Sequence, residues 1–314
     1  MKIFITGATG VLGRPVVELL VSADQNVRAL SRSPENAALL RTLGAEPVAA
    51  NLFEVDSLKS ALAESDAVLH LATSIPPTMK LGQPSAWKEN DRIRSVGTCA
   101  LVEAALATGS VKTFIYPSYA FVYPDSGDSW IDAETTPVQP AVTLRSTLDA
   151  EAEVARFAGN ARRGISLRMG GLYGPEPTSW QFLRYARKGI AAFPGAHDAY
   201  LPQIWVQDAA SAIVAALRQP VPSGIYDIVD DEPLTRSEWF DALAQAVGRK
   251  HLWPLPDLPM RMLTGATYDT IHRSLRISNR HFKAVSNWKP AVPNARVGWA
   301  RLVEESSKIA MPIS

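Results

Sequence analysis

The first thirteen residues, MKIFITGATGVLG, limit the possible folds more than any other part of the chain. They begin with an apolar, strand-like run at residues 2–6 and pass directly into a turn that contains Gly7, Gly10 and Gly13. Glycines at this spacing permit a tight turn and let the backbone approach a pyrophosphate at the amino terminus of the next helix. Because a strand precedes these glycines and a helical pattern follows them, the sequence predicts a dinucleotide-binding βαβ unit.

Apolar runs then alternate with helical patterns as far as residue 169, which is typical of a parallel sheet with helices on both faces. The predicted strands are residues 2–6, 26–31, 46–50, 66–73, 112–123 and 165–169. The predicted helices include residues 13–23, 57–64, 93–108 and one that opens at residue 142. We therefore expect an α/β protein with a doubly wound parallel sheet, the Rossmann fold.

The rhythm changes after residues 172–175, where proline and tryptophan become frequent. We assign residues 1–169 to the Rossmann domain, with residues 202–231 returning to it. A smaller, discontinuous C-terminal lobe that binds substrate is expected from residues 170–201 and 232–314. Two interpretations stay open for the aromatic side chains of this lobe, namely an apolar substrate pocket or its core. They include Trp205, Trp239 and Trp253.

Composition excludes several classes of partner. The 32 lysine and arginine residues nearly cancel the 31 aspartate and glutamate residues, so no overall field attracts nucleic acid or an anionic membrane. The single cysteine, Cys99, forms no internal disulfide, and the five scattered histidines suggest no metal site. Without a charged leader or a long apolar segment, we expect a cytoplasmic protein that acts on a small molecule.

The second predicted strand ends in Ser31-Arg32-Ser33. A dinucleotide fold that prefers NAD usually presents an acidic side chain at this point to the ribose hydroxyls. An arginine with two hydroxyls suits a 2′-phosphate, so NADP is expected in preference to NAD. A solvated surface arginine is the alternative.

Five segments together resemble the extended short-chain dehydrogenases/reductases of the NAD-dependent epimerase/dehydratase type. They are TGATGVLG, HLAT at 70–73, PSYAFVY at 117–123, LRMGGLYGP at 167–175 and VQDAA at 206–210. The resemblance covers about the first 230 residues and implies a nicotinamide cofactor and, as in many relatives, a homodimer. The residues that it places around the cofactor are Gly7, Thr9, Gly10, Leu12, Gly13, Ser31, Arg32, Asn51, Leu52, Leu71 and Ala72.

The active-site motif of these proteins is altered in this chain. Relatives carry a serine or threonine after the fifth strand and a YxxxK motif on the next helix, in which the lysine stabilises the tyrosine phenolate and holds the nicotinamide ribose. Here Tyr119, preceded by Ser118, occupies the hydroxyl position. Thr143 stands at the tyrosine position and Thr147 at the lysine position, and no YxxxK occurs anywhere in the chain.

We therefore predict an atypical active site in which Tyr119, Ser118, Thr143 and Thr147 are the catalytic candidates and Tyr119 is the relocated proton donor. Three functions stay open. The first is an NADP-dependent oxidoreductase or epimerase-type enzyme on a small carbonyl or hydroxyl compound. The second is a redox-neutral cyclase, dehydratase or isomerase. The third is a non-catalytic NADP-binding regulatory or scaffold protein.

Two arginines at predicted buried positions also need partners. Arg94 stands where many relatives carry an asparagine, three residues before Gly97, and it is expected either to bind an anionic substrate or to pair with Glu89 or Asp91. Arg168 lies on a predicted buried strand, so we expect it to have an acidic or carbonyl partner.

Overall fold

A seven-stranded parallel sheet forms the centre of the protein. The computed structural model describes residues 1–77, 80–191, 193, 195–255, 261–262 and 264–308. The strands are β1 (Lys2–Thr6), β2 (Asn26–Ser31), β3 (Glu46–Ala49), β4 (Ala67–His70), β5 (Thr113–Tyr119), β7 (Arg163–Met169) and β12 (Gly224–Ile228). Their order is β3-β2-β1-β4-β5-β7-β12, which confirms the predicted doubly wound fold.

Helices cover both faces of this sheet. They are α1 (Gly13–Ser22), α2 (Pro34–Thr42), α3 (Val55–Leu62), α4 (Lys88–Arg92), α5 (Thr98–Thr108), α6 (Arg145–Phe157), α7 (Pro177–Arg187), α8 (Val206–Arg218) and α9 (Arg236–Ala246), followed by Tyr268–Ile271, Arg280–Ser286 and Ala295–Lys308. Successive side chains of β1 point to opposite faces. Ile3 and Ile5 therefore enter one core with α1 and α8, whereas Phe4 enters another with α3, α5 and α6.

The second lobe has its own apolar core and only short strands. These strands are β6 (Trp130–Ile131), β8 (Gly171–Tyr173), β9 (Ile190–Ala191), β10 (Tyr200–Leu201), β11 (Gln203–Trp205), β13 (Leu234–Thr235), β14 (Trp253–Pro254) and β15 (Arg276–Ile277). Trp205 and Trp239 are buried in the core, whereas Trp253 is 70% exposed. The predicted domain limits stay a prediction.

Within the described ranges, no helix is long and apolar enough to cross a membrane.

Two helices begin later than the sequence predicted, because the first turn of each predicted helix has a hydrogen-bonding pattern other than that of an α-helix. The segment predicted as one helix at 93–108 begins with a π-helical turn, Ile93–Gly97, before α5. The helix predicted to open at residue 142 begins instead at Arg145, after a 3₁₀ turn, Val142–Leu144. Leu144 has φ −113° and ψ 4°, outside the α-helical region, so the turn and α6 are separate.

A buried ion pair joins α6 to the sheet. The guanidinium of Arg168 on β7 donates to the carboxylate of Glu151 on α6 at 2.9 and 2.8 Å, and the two side chains are 4% and 5% exposed. Arg168 also donates to the hydroxyl of Tyr123 at 2.9 Å, and that hydroxyl donates to Asp227 on β12 at 2.8 Å. Ser118 on β5 donates to Glu151 as well. One network thus fixes three strands and one helix, and it supplies the partner expected for Arg168.

A buried histidine ends β4. Thr6 and His70 are register partners on β1 and β4, and their side chains share a 2.6 Å hydrogen bond between Oγ1 and Nδ1. Burial lowers the pKa of His70 to about 4, and the charge of Arg94 acts in the same direction. The imidazole is therefore neutral at physiological pH.

We expect Glu151→Gln to destabilise the fold strongly. The substitution leaves the Arg168 charge buried without its carboxylate, which costs about 3–5 kcal/mol. Glu153→Gln on the same helix removes an ion pair with Arg156, which is 43% exposed, and should cost under about 1 kcal/mol. Urea denaturation measures both free energies of unfolding, and equal losses would contradict the role of the buried pair.

His70 should make the fold sensitive to acid. The pKa of His70 is about 4 in the folded protein and 6.5 in the unfolded chain. The neutral imidazole therefore contributes fully to the free energy of unfolding above pH 6.5, and this contribution is lost as the pH falls towards 4. The loss can reach about 1.4 kcal/mol per pH unit in this window. Urea denaturation at several pH values should show that the free energy of unfolding falls less steeply with decreasing pH in His70→Gln than in the native protein. In His251→Gln, where the histidine is exposed, the dependence on pH should be unchanged. Identical curves for all three proteins would argue against it.

Candidate functional site

The glycine turn lies directly against the carboxyl end of β4. A Cβ atom on Gly7, whose φ is +74°, would lie 2.5 Å from the amide nitrogen of Ala72, and a Cβ on Gly13 would lie 2.1 Å from the carbonyl oxygen of Gly7. Neither position can accept a side chain. The turn therefore packs directly against the Leu71–Ala72 segment, and the contact of both with a cofactor stays a prediction.

The amino terminus of α1 has features that favour binding of an anion. Leu12, at its N-cap, provides no side-chain hydrogen bond, and the first turn contains no acidic residue. Free amide groups and the helix dipole at such a terminus favour phosphate. Gly10 is exposed, and the Thr9 carbonyl accepts a hydrogen bond from Arg14 at 2.9 Å, which orders the turn. These features fit the pyrophosphate of a dinucleotide.

The end of β2 presents one uncommitted cation. Arg32 is exposed and makes no hydrogen bond or ion pair with any described residue. The two serines are committed locally, because Ser31 donates to the Ser33 carbonyl at 3.0 Å and Ser33 accepts the Asn36 amide at 3.2 Å as the N-cap of α2. Arg32 is therefore the cation at this strand end, and its contact with a 2′-phosphate stays a prediction.

Asn51 and Leu52 form the turn after β3. The Asn51 side chain accepts the Phe53 amide at 3.1 Å and donates to Glu54 at 2.5 Å, so it stabilises the turn itself. Leu52 is buried and lies under Gly97, where an added Cβ would approach its side chain to 3.1 Å. The contact of these residues with adenine stays a prediction.

Two of the four predicted catalytic side chains lie beneath the cleft. Ser118 is 3% exposed and donates to Glu151, and Thr147 is fully buried and accepts from Arg94. Both hydroxyls are thus buried and bonded within the protein, and the catalytic roles predicted for Ser118 and Thr147 stay predictions.

The other two predicted residues remain candidates. Tyr119 is half-buried at the end of β5, its ring stacks on Phe121 at 4.6 Å, and its hydroxyl bonds to no described residue. Burial raises the pKa of Tyr119 to about 12, although the charge of Arg94 opposes the rise. The phenol is thus a neutral donor. The Thr143 hydroxyl is buried without a described partner, in the 3₁₀ turn that contacts Gly265–Thr267.

Arg94 is the site residue whose position the sequence left open. It lies in the π-helical turn, is 5% exposed, and donates through Nη1 to Thr147, the residue at the lysine position. It pairs with neither expected acid, because Glu89 lies 3.9 Å from Arg92 and Asp91 accepts from Ser146 at 2.7 Å. The sequence feature that could have indicated a site role for Arg94 was the presence of an arginine in a chain that lacks the lysine of the YxxxK motif.

Comparison with known proteins identifies the family. The model of the NAD dependent epimerase/dehydratase family matches residues 3–229. A 3-diazoavenalumate denitrifying reductase from Streptomyces sp is 29% identical, over 96% of this chain and 100% of the relative. A 2-alkyl-3-oxoalkanoate reductase from Shewanella oneidensis is 26% identical, over 87% of this chain and 73% of the relative.

Solved structures share the fold. The crystal structure of a human epimerase family protein with NADPH has a TM-score of 0.82 at 21% identity and covers 97% of this chain and 99% of that one. A UDP-glucose 4-epimerase from Thermotoga maritima with UDP-glucose has a TM-score of 0.79 at 20% identity, over 99% and 100% of the two chains. With its glycine turn, its sheet order and the family match, the chain belongs to the NAD dependent epimerase/dehydratase family.

Proposed function

We propose that this protein is an NADP(H)-dependent reductase of a small electrophile, with Tyr119 as the hydrogen-bond and proton donor. The observation that carries the proposal is the hydroxyl of Tyr119. It bonds to no described residue, whereas the hydroxyls of Ser118 and Tyr123 on either side of it are held by Glu151, Arg168 and Asp227. A donor without a protein partner at the end of a parallel strand is available to a ligand.

The cofactor would bind along residues whose positions suit it. Its pyrophosphate fits the first turn of α1 and the turn of Gly7 and Gly13, and Arg32 would hold the 2′-phosphate. The loop of Leu71 and Ala72 would bound the cleft. When bound, the reduced nicotinamide supplies a hydride.

The residues of this chain then have to stabilise the acceptor. As hydride reaches a carbonyl carbon, negative charge develops on the oxygen, and Tyr119 donates a hydrogen bond and then its proton. Water returns that proton to the phenolate. A phenol whose pKa is about 12 suits this direction and not alcohol oxidation, which needs a base.

Two relatives support reduction over epimerisation. Both carry names of reductases, and both names describe carboxylate substrates, a diazo compound in one and an oxo acid in the other. They match 96% and 87% of this chain. Their example favours an acidic electrophile for the present protein.

A second candidate follows from the absent YxxxK motif together with the denitrifying relative. Hydride transfer to the carbon of an aromatic diazonium group forms a C–H bond and breaks the C–N bond, whose electron pair leaves with N₂. No alkoxide forms, so no proton donor is needed. A chain with Thr143 and Thr147 in place of tyrosine and lysine could perform this reaction without Tyr119.

NADP should bind more tightly than NAD because of Arg32. A charge-assisted hydrogen bond to the 2′-phosphate contributes about 1.5–3 kcal/mol, which is a tenfold or greater preference. Calorimetry should show that Arg32→Ala removes most of this preference and leaves the NAD affinity nearly unchanged. The exposed Arg41→Ala on α2 should keep it. Equal affinities of the native protein for the two cofactors would defeat the assignment.

The reductase proposal is tested by oxidation of NADPH with oxo acids, aldehydes and 4-carboxybenzenediazonium. On a carbonyl substrate, Tyr119→Phe should lower kcat about a hundredfold, the usual scale for one general acid, and Thr143→Val much less. On the diazonium compound, Tyr119→Phe should be nearly neutral. Full carbonyl reductase activity in Tyr119→Phe would exclude the relocated donor. Tight NADPH binding without any oxidation would favour a regulatory protein.

A further inference from the structure

Arg94 is a buried cation that forms no ion pair with any described residue. Its side chain is 5% exposed, its Nη1 donates to the hydroxyl of Thr147, and the neutral phenol of Tyr116 lies near enough for the charge of Arg94 to act on its pKa. The Nε atom is buried without an acceptor, and no carboxylate of a described residue forms an ion pair with the guanidinium. Removing a charge from water is costly unless an opposite charge or several hydrogen bonds replace the solvent.

The contrast with Arg168 shows what is missing. Arg168 is equally buried, and the same network that hides it provides two carboxylate oxygens and a phenol. Arg94 meets the same face of α6 one turn earlier, at the neutral Thr147, whereas the carboxylate of Glu151 is paired with Arg168. The nearest charges on its own segment are committed elsewhere, Glu89 towards Arg92 and Asp91 towards Ser146.

The location of Arg94 is that of the active site. It affects the pKa values of Tyr119 and His70, so its charge acts on the carboxyl ends of both β5 and β4. It is carried by a π-helical turn, a feature that occurs frequently at functional sites. These observations place the guanidinium close to the carboxyl ends of β4 and β5.

We propose that Arg94 is the receptor for a carboxylate group of the substrate, so that the protein acts on small organic acids. The proposal rests on the reductase function and names its substrate class. A guanidinium has a planar set of donors that matches a carboxylate, whereas a ribose hydroxyl, the partner of the lysine in relatives, would leave the charge uncompensated. Thr147 stands at the position of the lysine in relatives, and it orients Arg94 by accepting a hydrogen bond from Nη1.

Three pairs of probes test this class without knowledge of the natural substrate. Acetate, benzoate and trans-cinnamate are each compared with their primary amides, which have nearly the same shape and no charge. Calorimetry is performed on the NADP-loaded protein. At least one acid should bind about tenfold or more tightly than its amide, as expected for a hydrogen bond between ionised partners.

Variants assign the preference to one residue. Arg94→Gln should abolish the difference between acid and amide, and Arg94→Lys should keep part of it, since an ammonium keeps the charge without the planar fork. Arg145→Gln is the matched control, because Arg145 is exposed at the start of the same helix as Thr147 and should leave the preference intact. Thermal unfolding and NADP affinity show whether each variant is folded.

The outcomes separate this inference from the reductase function. Equal binding of acids and amides by the native protein, no binding of any acid, or an intact preference in Arg94→Gln would overturn the carboxylate receptor. NADPH-dependent reduction of neutral carbonyl compounds could still stand in each case. If Arg94→Gln fails to fold, the comparison in the native protein and the reduced preference of Arg94→Lys decide the question.

Discussion

The ion pair between Glu151 and Arg168 determines the positions of the groups around the cleft. A buried pair is stable only when its remaining hydrogen-bonding capacity is satisfied, and here Ser118 and Tyr123 complete it. Side chains of a strand alternate between faces, so the bond that turns Ser118 towards α6 turns Tyr119 away from it. The same helix presents Thr147 to Arg94. The positions of the Tyr119 phenol and of the Arg94 guanidinium therefore depend on where this ion pair holds α6.

Under the proposed function, two elements of this chain carry the groups that relatives carry on one helix. A tyrosine and a lysine four residues apart are adjacent because a helix repeats every 3.6 residues. Here the phenol, Tyr119, comes from the end of β5, and the cation, Arg94, comes from the π-helical turn before α5. An arginine stays charged under all relevant conditions and offers a planar set of donors. The proposed replacement would therefore change the site from one that tunes a phenolate to one that can hold an anion.

Local patterns in the sequence predicted the parts of the fold that local physics determines. The β1 strand, the glycine turn and α1 were predicted within one residue, because apolar periodicity and glycine geometry act over a few positions. Short strands such as β6, with two residues, contain too little pattern to detect. The π-helical turn also escaped prediction, since one extra residue in a turn does not alter the apolar periodicity clearly.

The candidate site was predicted less completely, because its key contacts join distant positions. Ser118 and Glu151 are 33 residues apart, and Arg94 and Thr147 are 53 apart. A sequence motif indicates which residues stand near an active site, but not which of their hydroxyls are already bonded. The hydroxyls of Ser118 and Thr147 each bond a charged neighbour, Glu151 and Arg94, which their spacing in the sequence could not indicate. The sequence singled out Tyr119 as the relocated donor from its place in the motif, but only the structure shows that its hydroxyl has no described partner.

The charge of Arg94 links substrate binding to the proposed reduction. Under this proposal, hydride donation would leave a positive charge on the nicotinamide ring, and the buried guanidinium would raise the energy of that state. Two unit charges 4 Å apart interact with about 4 kcal/mol at an effective dielectric constant of 20, and the energy falls to about 1 kcal/mol at four times this separation. A substrate carboxylate bound to Arg94 cancels it. A neutral compound does not, and would face a cleft that opposes the oxidised cofactor. Under this proposal the same arginine both selects an acid and makes the reduction of that acid more favourable than reduction of a neutral analogue.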